Sequence, residues 1–327
     1  MKYPLSLLIL LCLGCETIIE VDPPEYDSEP VVTSFFSPDS AWSLTMHRSL
    51  GATVKRDATR EYIPDASVMI MDGSNTVDIL NYHGNGRYVS STGELPTDGI
   101  MYTLHVDFPS YTSMQAVSVA PPPAVISDYS IEALPSSEAD PSSRSRYQLR
   151  IAFSDTPGTN FYRIGVYRRV RNYSFDATDT DSVYAPIFFD GLTPGWSCGY
   201  SSDEEVVDPI DGIVSNILCE EFVVIDRRFD GKDYSWHGTT PKLSDENGRK
   251  ELRLILSSLS EDYYRYRHSL ERNVSYDPLI EEPFPMYSNV SGGLGVFAGY
   301  TNTTLILPSL LQNPPPTCKI LPWVVHG

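Results

Sequence analysis

Short runs in which apolar and polar residues alternate dominate the chain between residues 31 and 119. A period of two is typical of strands that bury one face and expose the other. We therefore expect the apolar positions of these runs to face a core. In three of the runs these positions are Trp42, Leu44 and Met46, then Ala66, Val68 and Ile70, then Val77 and Ile79.

Turn sequences separate these runs. Residues 72–75 read Asp-Gly-Ser-Asn, which predicts a hairpin, and residues 84–86 read Gly-Asn-Gly, which predicts a second turn. About seven short strands with such turns favour an immunoglobulin-like β-sandwich, which we assign to residues 30–120. Ala120 and the three prolines that follow it form a stiff linker and the best domain boundary.

A second β-rich, sandwich-like domain is expected over residues 121–310. Residues 147–153 and 161–170 alternate, and the loop-forming residues 155–160 separate them. In the second run, one face carries Tyr162, Ile164, Val166 and Arg168. Residues 172–221 are rich in Asp, Gly, Ser and Pro and are interpreted as a long insertion.

One helix is predicted, over residues 260–272. Ser260 is its cap, and Glu261 and Asp262 place negative charge at the positive end of the helix dipole. Its apolar face would carry Tyr263, Tyr266, Arg267 and Leu270. Residues 311–327 form a Pro-rich tail. The predicted fold class is mainly β, with an immunoglobulin-like sandwich, a second sandwich-like domain and one C-terminal helix.

The first residues have the pattern of an export signal. Lys2 is followed by an apolar run of about ten residues, which is too short for the roughly 20 residues of a membrane-spanning helix. Gly14 then precedes Cys15, as in bacterial lipoproteins that are cleaved before an acylated cysteine. We expect a signal peptide over residues 1–14 and a lipidated acidic tether over residues 15–29.

An alternative interpretation of the leader remains open. Cys12 stands three residues before Cys15, where a leucine is usual. Cys15 would then be an ordinary cysteine near the end of a plain signal peptide.

Composition limits the partners and the redox chemistry. The formal net charge of −19 disfavours binding to nucleic acid and to anionic surfaces. Besides Cys12 and Cys15, the chain has Cys198, Cys219 and Cys318. A disulfide between Cys198 and Cys219 would close a loop of about 20 residues and contribute roughly 3 kcal/mol. Cys198, Cys219 and Cys318 form no Cys-x-x-Cys pair that would indicate a zinc site.

Two glycine motifs match catalytic or cofactor patterns only in part. Residues 195–199 read Gly-Trp-Ser-Cys-Gly, a nucleophile-elbow pattern around Ser197, but its flanks do not predict the strand and helix that the elbow needs. Residues 293–298 match G-x-G-x-x-A without a following βαβ unit, so close backbone packing is favoured over dinucleotide binding.

The other candidate chemistry also has structural interpretations. The six histidines are scattered, without metal-binding spacing. Asp176, Asp179 and Asp181 have the ligand type that calcium prefers, but a solvated loop explains them better. Residues 263–267 read Tyr-Tyr-Arg-Tyr-Arg and form either an aromatic, cationic binding face or, for half of them, helix core. We therefore expect no catalytic residue, no cofactor and no metal.

The C-terminal third carries a more specific pattern. Residues 256–266 read LSSLSEDYYRY, and residues 288–300 read SNVSGGLGVFAGY. They resemble the lipoprotein family named domain of unknown function 4249 (DUF4249), found in Bacteroidota and relatives. In that family a helix with serine, acidic and paired tyrosine residues precedes a Ser-Asn-(Val/Ile)-x-x-Gly-Leu-Gly-(Val/Ile)-Phe strand. Residues 64–68 and 86–88 near the front of the chain are also similar.

The resemblance implies a location and a role. It implies a non-catalytic lipoprotein of the outer membrane, on an undetermined face, that acts as a binding or accessory module beside a TonB-dependent receptor. The ligand is undetermined. The alternatives are a structural or adhesive surface protein and, remotely, a serine hydrolase that uses Ser197. No catalytic residue transfers, since the family has none assigned.

Overall fold

The computed structural model describes residues 27–51, 61–134, 146–171, 182–186, 197–198, 221–240, 252–274 and 284–307. The first strands are β1 Pro30–Phe36, β2 Ser43–Arg48, β3 Ser67–Asp72, β4 Asn75–Tyr82, β5 Arg87–Ser90, β6 Met101–Asp107 and β7 Met114–Val119. The next are β8 Val125–Leu134, β9 Arg146–Ser154, β10 Phe161–Arg171, β11 Ser182–Pro186, β12 Ser197–Cys198, β13 Glu221–Ile225, β14 Asp233–Thr240 and β15 Leu252–Leu259. Helix α1 Glu261–Val274 and strand β16 Leu294–Leu307 complete the order.

Strands β1 to β7 form what we call the first β-unit. Together with β16 they are hydrogen-bonded in the order β16-β1-β2-β5-β4-β3-β6-β7. Their inward side chains share one core, and the predicted alternation is confirmed for two of the runs. The fully or almost fully buried positions of those runs are Trp42, Leu44, Met46, Val68 and Ile70.

Strand β4 differs from the prediction. Ile79 is 49% exposed, whereas Leu80 and Asp78 on the other side of the strand are buried. The expectation that Ile79 faces the core was therefore wrong. An inward carboxylate breaks the apolar alternation, and its hydrogen bonds make that orientation stable. The two turns were predicted correctly, because β3 and β4 meet at residues 73–74 and β4 and β5 meet at residues 83–86.

Strands β8 to β15 form the second β-unit. Strands β14, β9 and β8 make a separate antiparallel sheet, and its side chains share a core with those of β10, β13 and β15. Trp236 and Phe153 from the small sheet contact Phe222 and Tyr162 from the large one. The predicted inward face of β10 is confirmed for Tyr162, Ile164 and Val166.

Strand β16 belongs to both units. Its first residues pair in parallel with β1, from Leu294 opposite Val31 to Gly299 opposite Phe36. Its later residues pair antiparallel with β15, from Tyr300 to Leu307. Phe297 consequently lies in the core of the first unit and Leu307 in the core of the second.

Helix α1 covers the place where the units meet. Ser260 caps it as predicted, since the backbone N–H of Tyr263 donates to Ser260 Oγ at 3.2 Å. Tyr263 is buried as expected, but Tyr264, which the predicted apolar face omitted, is equally buried. Both pack on a cluster with members from β10, β13 and β16. A mainly β fold with one helix near the C-terminus is thus confirmed.

Helix α1 is shorter than the roughly 20 residues of a membrane-spanning helix. It has 14 residues, and no helix within the described ranges is long and apolar enough to cross a membrane.

Candidate functional site

The residues that the sequence singled out for anchoring and cross-linking lie mostly outside the described part of the chain. Cys15 and Cys219 do so, as do the three aspartates at 176, 179 and 181. Ser197 and Cys198 form strand β12, opposite Val223 and Phe222 of β13. Ser197 therefore has paired, extended backbone rather than the turn of a nucleophile elbow. The disulfide between Cys198 and Cys219 stays a prediction.

The second glycine motif packs backbone against backbone, as predicted. Gly295 has a φ of +119°, and a Cβ atom there would lie 1.8 Å from the carbonyl oxygen of Val32 in the neighbouring strand. Gly299 also comes close to another strand, since its Cβ would lie 2.3 Å from the oxygen of Val119. These glycines permit close approach of strands. The motif runs into strand β16 and is not followed by a helix within the described residues.

Asp262 of α1 connects the helix to the first β-unit. One carboxylate oxygen accepts from Ser118 Oγ of β7 at 2.8 Å, and the other accepts from the Tyr287 hydroxyl at 2.8 Å. Burial, followed by the hydrogen bond to Asp262, raises the pKa of Tyr287 to about 12. Asp262 of the Ser-Glu-Asp-Tyr-Tyr sequence thus has a structural role at the place where α1 and β16 connect the two β-units, which we call the joint.

Asn289 continues this joint. Its side-chain amide donates to the carbonyl oxygen of Phe297 at 2.8 Å and accepts from the Phe297 N–H at 3.0 Å. One side chain thereby pairs with both backbone groups of a residue of β16. Ser288 adds a contact, because Gly295 N–H donates to its hydroxyl at 3.2 Å. The Ser-Asn-Val sequence is explained by strand packing.

An arginine lies beneath the first tyrosine of the helix. Arg163 of β10 donates to the Tyr263 hydroxyl at 2.9 Å and to Ser257 Oγ at 3.1 Å. Its guanidinium carbon is 5.6 Å from the Tyr263 ring centre and 5.8 Å from that of Tyr300. For Tyr263 the helix-core interpretation is therefore confirmed, since its ring and hydroxyl are occupied within the protein.

Three carboxylates gather where β9 and β13 end and β10 begins. One oxygen from each of Asp155, Asp226 and Asp230 lies within 4.8 Å of the others. Such a set has the ligand chemistry of a hard cation. The same groups also hold two loops together: Asp155 accepts from the Tyr162 hydroxyl, and Asp226 accepts from the backbone N–H of Asn160 at 2.8 Å.

The electrostatics of the trio follow from its burial. Burial raises the pKa of Asp226, hydrogen bonds from Asn160 act in the opposite direction, and the charges of Asp155 and Asp230 raise it further. The trio was not predicted from sequence. Asp155 belongs to the predicted loop at residues 155–160, but no sequence pattern indicates that Asp226 and Asp230, from a distant segment, lie beside it.

A surface cavity lies at one end of the first β-unit, and we call it the Tyr62 pocket. It has a volume of about 210 Å³ and is lined by Arg48, Tyr62, Ile63, Pro64, Asp65, Phe108, Pro109, Ser110 and Tyr111. Arg48 lies over the Tyr111 ring at 5.4 Å from its centre and forms an ion pair with Glu61 at 3.7 Å. Aromatic and proline surfaces beside one cation and one carboxylate suit binding of a small amphipathic group.

A family model described as "Domain of unknown function (DUF4249)" matches residues 16–306, which span both β-units, α1 and nearly all of β16. The chain belongs to the DUF4249 family. Of the residues that carried the resemblance, 256–266 and 288–300 lie where the two units meet, whereas 64–68 and 86–88 lie in the first β-unit. No curated protein matches this DUF4249 chain.

Two solved structures show a remote resemblance to this DUF4249 chain. A mutant of Salmonella alpha-2-macroglobulin aligns over 73% of the chain and 14% of its own length, with 13% identity and a TM-score of 0.23. The collagen binding domain of the Erysipelothrix rhusiopathiae surface protein RspB aligns over 86% of the chain and 95% of its own length, with 7% identity and a TM-score of 0.16.

Proposed function

We propose that this DUF4249 protein is a lipoprotein of a bacterial outer membrane, anchored through Cys15, that serves as a non-catalytic binding module. The observation that carries the proposal is the leader, in which a short apolar run ends in Gly14 and Cys15. The first strand begins at Pro30. A short acidic segment would therefore separate the acylated cysteine from the folded protein.

A binding role is favoured over catalysis because several carboxylates of the described residues are engaged in structural hydrogen bonds. Asp155, Asp226 and Asp262 each accept hydrogen bonds that fasten loops or the helix. The Tyr62 pocket offers aromatic and proline surfaces with Arg48 and Asp65. Such a lining suits recognition of a ligand.

The resemblance suggests the partner. Proteins with this sequence pattern are expected beside TonB-dependent outer-membrane receptors, so an accessory role in uptake is proposed for the chain. The binding module would be presented near the membrane surface by its lipid.

The anchoring proposal is tested by fractionating cells that express the full chain. Wild-type protein is expected in the membrane fraction, and Cys15→Ser is expected to leave it, because the acyl chains are lost. Cys12→Ser is the matched control, since Cys12 would be removed with the leader, and it should stay with the membrane. Equal distribution of the Cys15 and Cys12 variants would contradict the proposal.

The accessory role is tested by affinity capture after mild detergent extraction of membranes. Enrichment of a TonB-dependent receptor with wild-type protein, and not with an unrelated lipoprotein, is the expected result. Recovery of no envelope partner from cells in which the protein is abundant would count against the role. If hydrolysis of any substrate were found, an unchanged rate in Ser197→Ala would exclude Ser197 as its nucleophile.

A further inference from the structure

The end of the first β-unit from which the N-terminal segment leaves is set by strand direction, and we call it the tether end. Strand β1 starts there at Pro30, opposite Arg48 at the end of β2. Strand β16 also starts there, with Leu294 opposite Val31. Tyr62 joins this end through a bridge to His47. Strand β3 begins at the tether end as well, with Ser67 opposite Asp107, the last residue of β6. Met101 is the first residue of β6 and therefore lies at the opposite end.

Four of the twelve exposed large hydrophobic side chains of the described residues lie at the tether end. Leu50, Tyr62, Tyr82 and Leu294 are exposed by 42%, 39%, 39% and 39%. Two of these side chains are close neighbours. Tyr62 and Tyr82 both lie against Gly86, where a Cβ would come within 2.4 Å of the Tyr62 ring and where the N–H donates to Tyr82 at 3.5 Å.

The other side of the same surface is the Tyr62 pocket. Arg48 lies over Tyr111, whose ring centre is 5.6 Å from that of Phe108. Both aromatic residues are half-buried, and both line the pocket together with Tyr62. The tether end therefore presents tyrosines, a phenylalanine and leucines around an arginine. Glu61 pairs with Arg48, so the charges are mixed.

If Cys15 carries lipid, the length of the N-terminal segment limits how far the tether end can lie from the membrane. Twelve residue steps separate Cys15 from Asp27, the first described residue, and they span at most about 40 Å when fully extended. The chain then joins the fold at the tether end and not at the end that carries Met101. A bilayer surface would then lie within about 40 Å of the tether end.

We infer that the tether end rests on the headgroup region of a zwitterionic phospholipid bilayer. The inference rests on the proposed lipid anchor. Tyrosine rings favour the interface between water and hydrocarbon because they are apolar with one polar tip. Arg48 can bind a phosphate while Glu61 faces the choline or ethanolamine group. A second membrane contact strengthens lipid anchoring and would hold both β-units in one orientation.

The first experiment locates the surface in the lipidated full-length protein, reconstituted into phosphatidylcholine vesicles with brominated acyl chains. Tyr62→Trp and Met101→Trp each add a reporter, and the unsubstituted chain gives the background of its four native tryptophans. Bromine is expected to quench the added emission at position 62 and not at position 101. Quenching at both positions or at neither would overturn the inference.

A second experiment removes the anchor. Unacylated Cys15→Ser protein is floated with phosphatidylcholine vesicles, with and without Leu50→Ser, Tyr62→Ser and Leu294→Ser together. Loss of three apolar side chains should weaken vesicle binding by at least about tenfold. The matched control changes three exposed apolar residues elsewhere, Met101, Val117 and Ile306, to serine and should bind as before. Circular dichroism checks that each variant is folded.

Intact mass measurement and vesicle flotation together distinguish a wrong inference from a wrong proposed function. If intact mass shows no acyl group on Cys15, the anchor is wrong, and flotation alone decides whether the tether end binds lipid. If Cys15 is acylated but the triple variant floats like its parent, the inference is wrong and the anchor stands. If the triple variant instead loses an envelope protein partner while vesicle binding is unchanged, the surface binds protein and the inference is also overturned.

Discussion

At the scale of single residues, Asp78 is the polar group on which strand β4 depends. It is 2% exposed and accepts from the backbone N–H of Ile79 at 2.7 Å and from Ser91 Oγ at 3.0 Å, as well as from Ser90. We predict that Asp78→Ala lowers the free energy of unfolding by about 2–3 kcal/mol, because buried donors lose their acceptor. Urea denaturation measures this, and Asp72→Ala, at an exposed turn, should change it by less than about 0.5 kcal/mol.

The same residue gives a pH dependence. Burial raises the pKa of Asp78, but hydrogen bonds from Ser90 and Ser91 outweigh it, and the pKa lies below its ordinary value of 3.8. The stabilisation is therefore present above pH 3.8 and is lost as the pH falls through the pKa of the folded state. Asp78→Ala should lose less stability than wild type between pH 5 and pH 2. An equal loss would show that Asp78 does not titrate in this way.

Asp78 also explains why the sequence misplaced Ile79. Apolar alternation predicts the inward face only where polar residues face solvent. Here an aspartate faces the core because Ser90 and Ser91, from the next strand and its following turn, supply donors. A single sequence does not reveal that pairing. Trp42, Leu44 and Met46 were placed correctly because no polar residue competes with them for the core.

Two glycines with the same backbone conformation separate strain from packing. Gly295 has a φ of +119° and Gly158 a φ of +118°, but only Gly295 would place a Cβ against backbone. In both alanine variants a positive φ strains the backbone and lowers the free energy of unfolding. Gly295→Ala should lose about 1–3 kcal/mol more than Gly158→Ala in urea denaturation, because strands β1 and β16 must separate. Equal losses would mean that β1 and β16 do not approach each other this closely.

At the scale of elements, the start of α1 depends on Ser260. Its hydroxyl accepts from Tyr263 N–H, and its own N–H donates to the Gly299 oxygen of β16 at 3.0 Å. We predict that Ser260→Ala costs about 1 kcal/mol. Ser260→Thr keeps the cap and should be closer to wild type. Thermal unfolding distinguishes the two, and an equal midpoint for both variants would argue against a capping role.

The helix itself could be predicted, but its packing could not. A cap followed by acidic residues is a local signal, so the start at Ser260 was correct. The predicted apolar face, however, presupposes that the helix packs against one surface only. Tyr264 is buried as well because it stacks on Phe161 of β10, while Tyr263 contacts Phe35 of β1. The helix contacts strands of both units, and that arrangement depends on tertiary structure.

At the scale of the whole molecule, shared elements should make the two β-units unfold together. Strand β16 contributes Phe297 to one core and Leu307 to the other, and α1 is fastened to β7 through Asp262. We predict one cooperative transition. The buried residues Trp42 and Trp236 report on separate cores. Trp42→Phe and Trp236→Phe should each leave a fluorescence transition that coincides with the calorimetric one, whereas two separated midpoints would contradict the prediction.

The candidate sites also differ in how far they could be predicted from the sequence. The leader is a contiguous pattern, so Cys15 could be proposed from sequence. The Tyr62 pocket and the carboxylate trio combine residues from distant segments, and only the pairing of strands brings them together. The glycines near residue 295 could be assigned to packing, because no helix-forming segment follows them.

Acylation of Cys15 is the claim on which both the proposed anchor and the orientation of the tether end depend. Mass spectrometry of the N-terminal peptide, from protein purified out of its own membranes, tests it most directly. The predicted peptide begins at Cys15 and carries the added mass of acyl chains. A peptide that begins elsewhere, or an unmodified Cys15, would contradict the account.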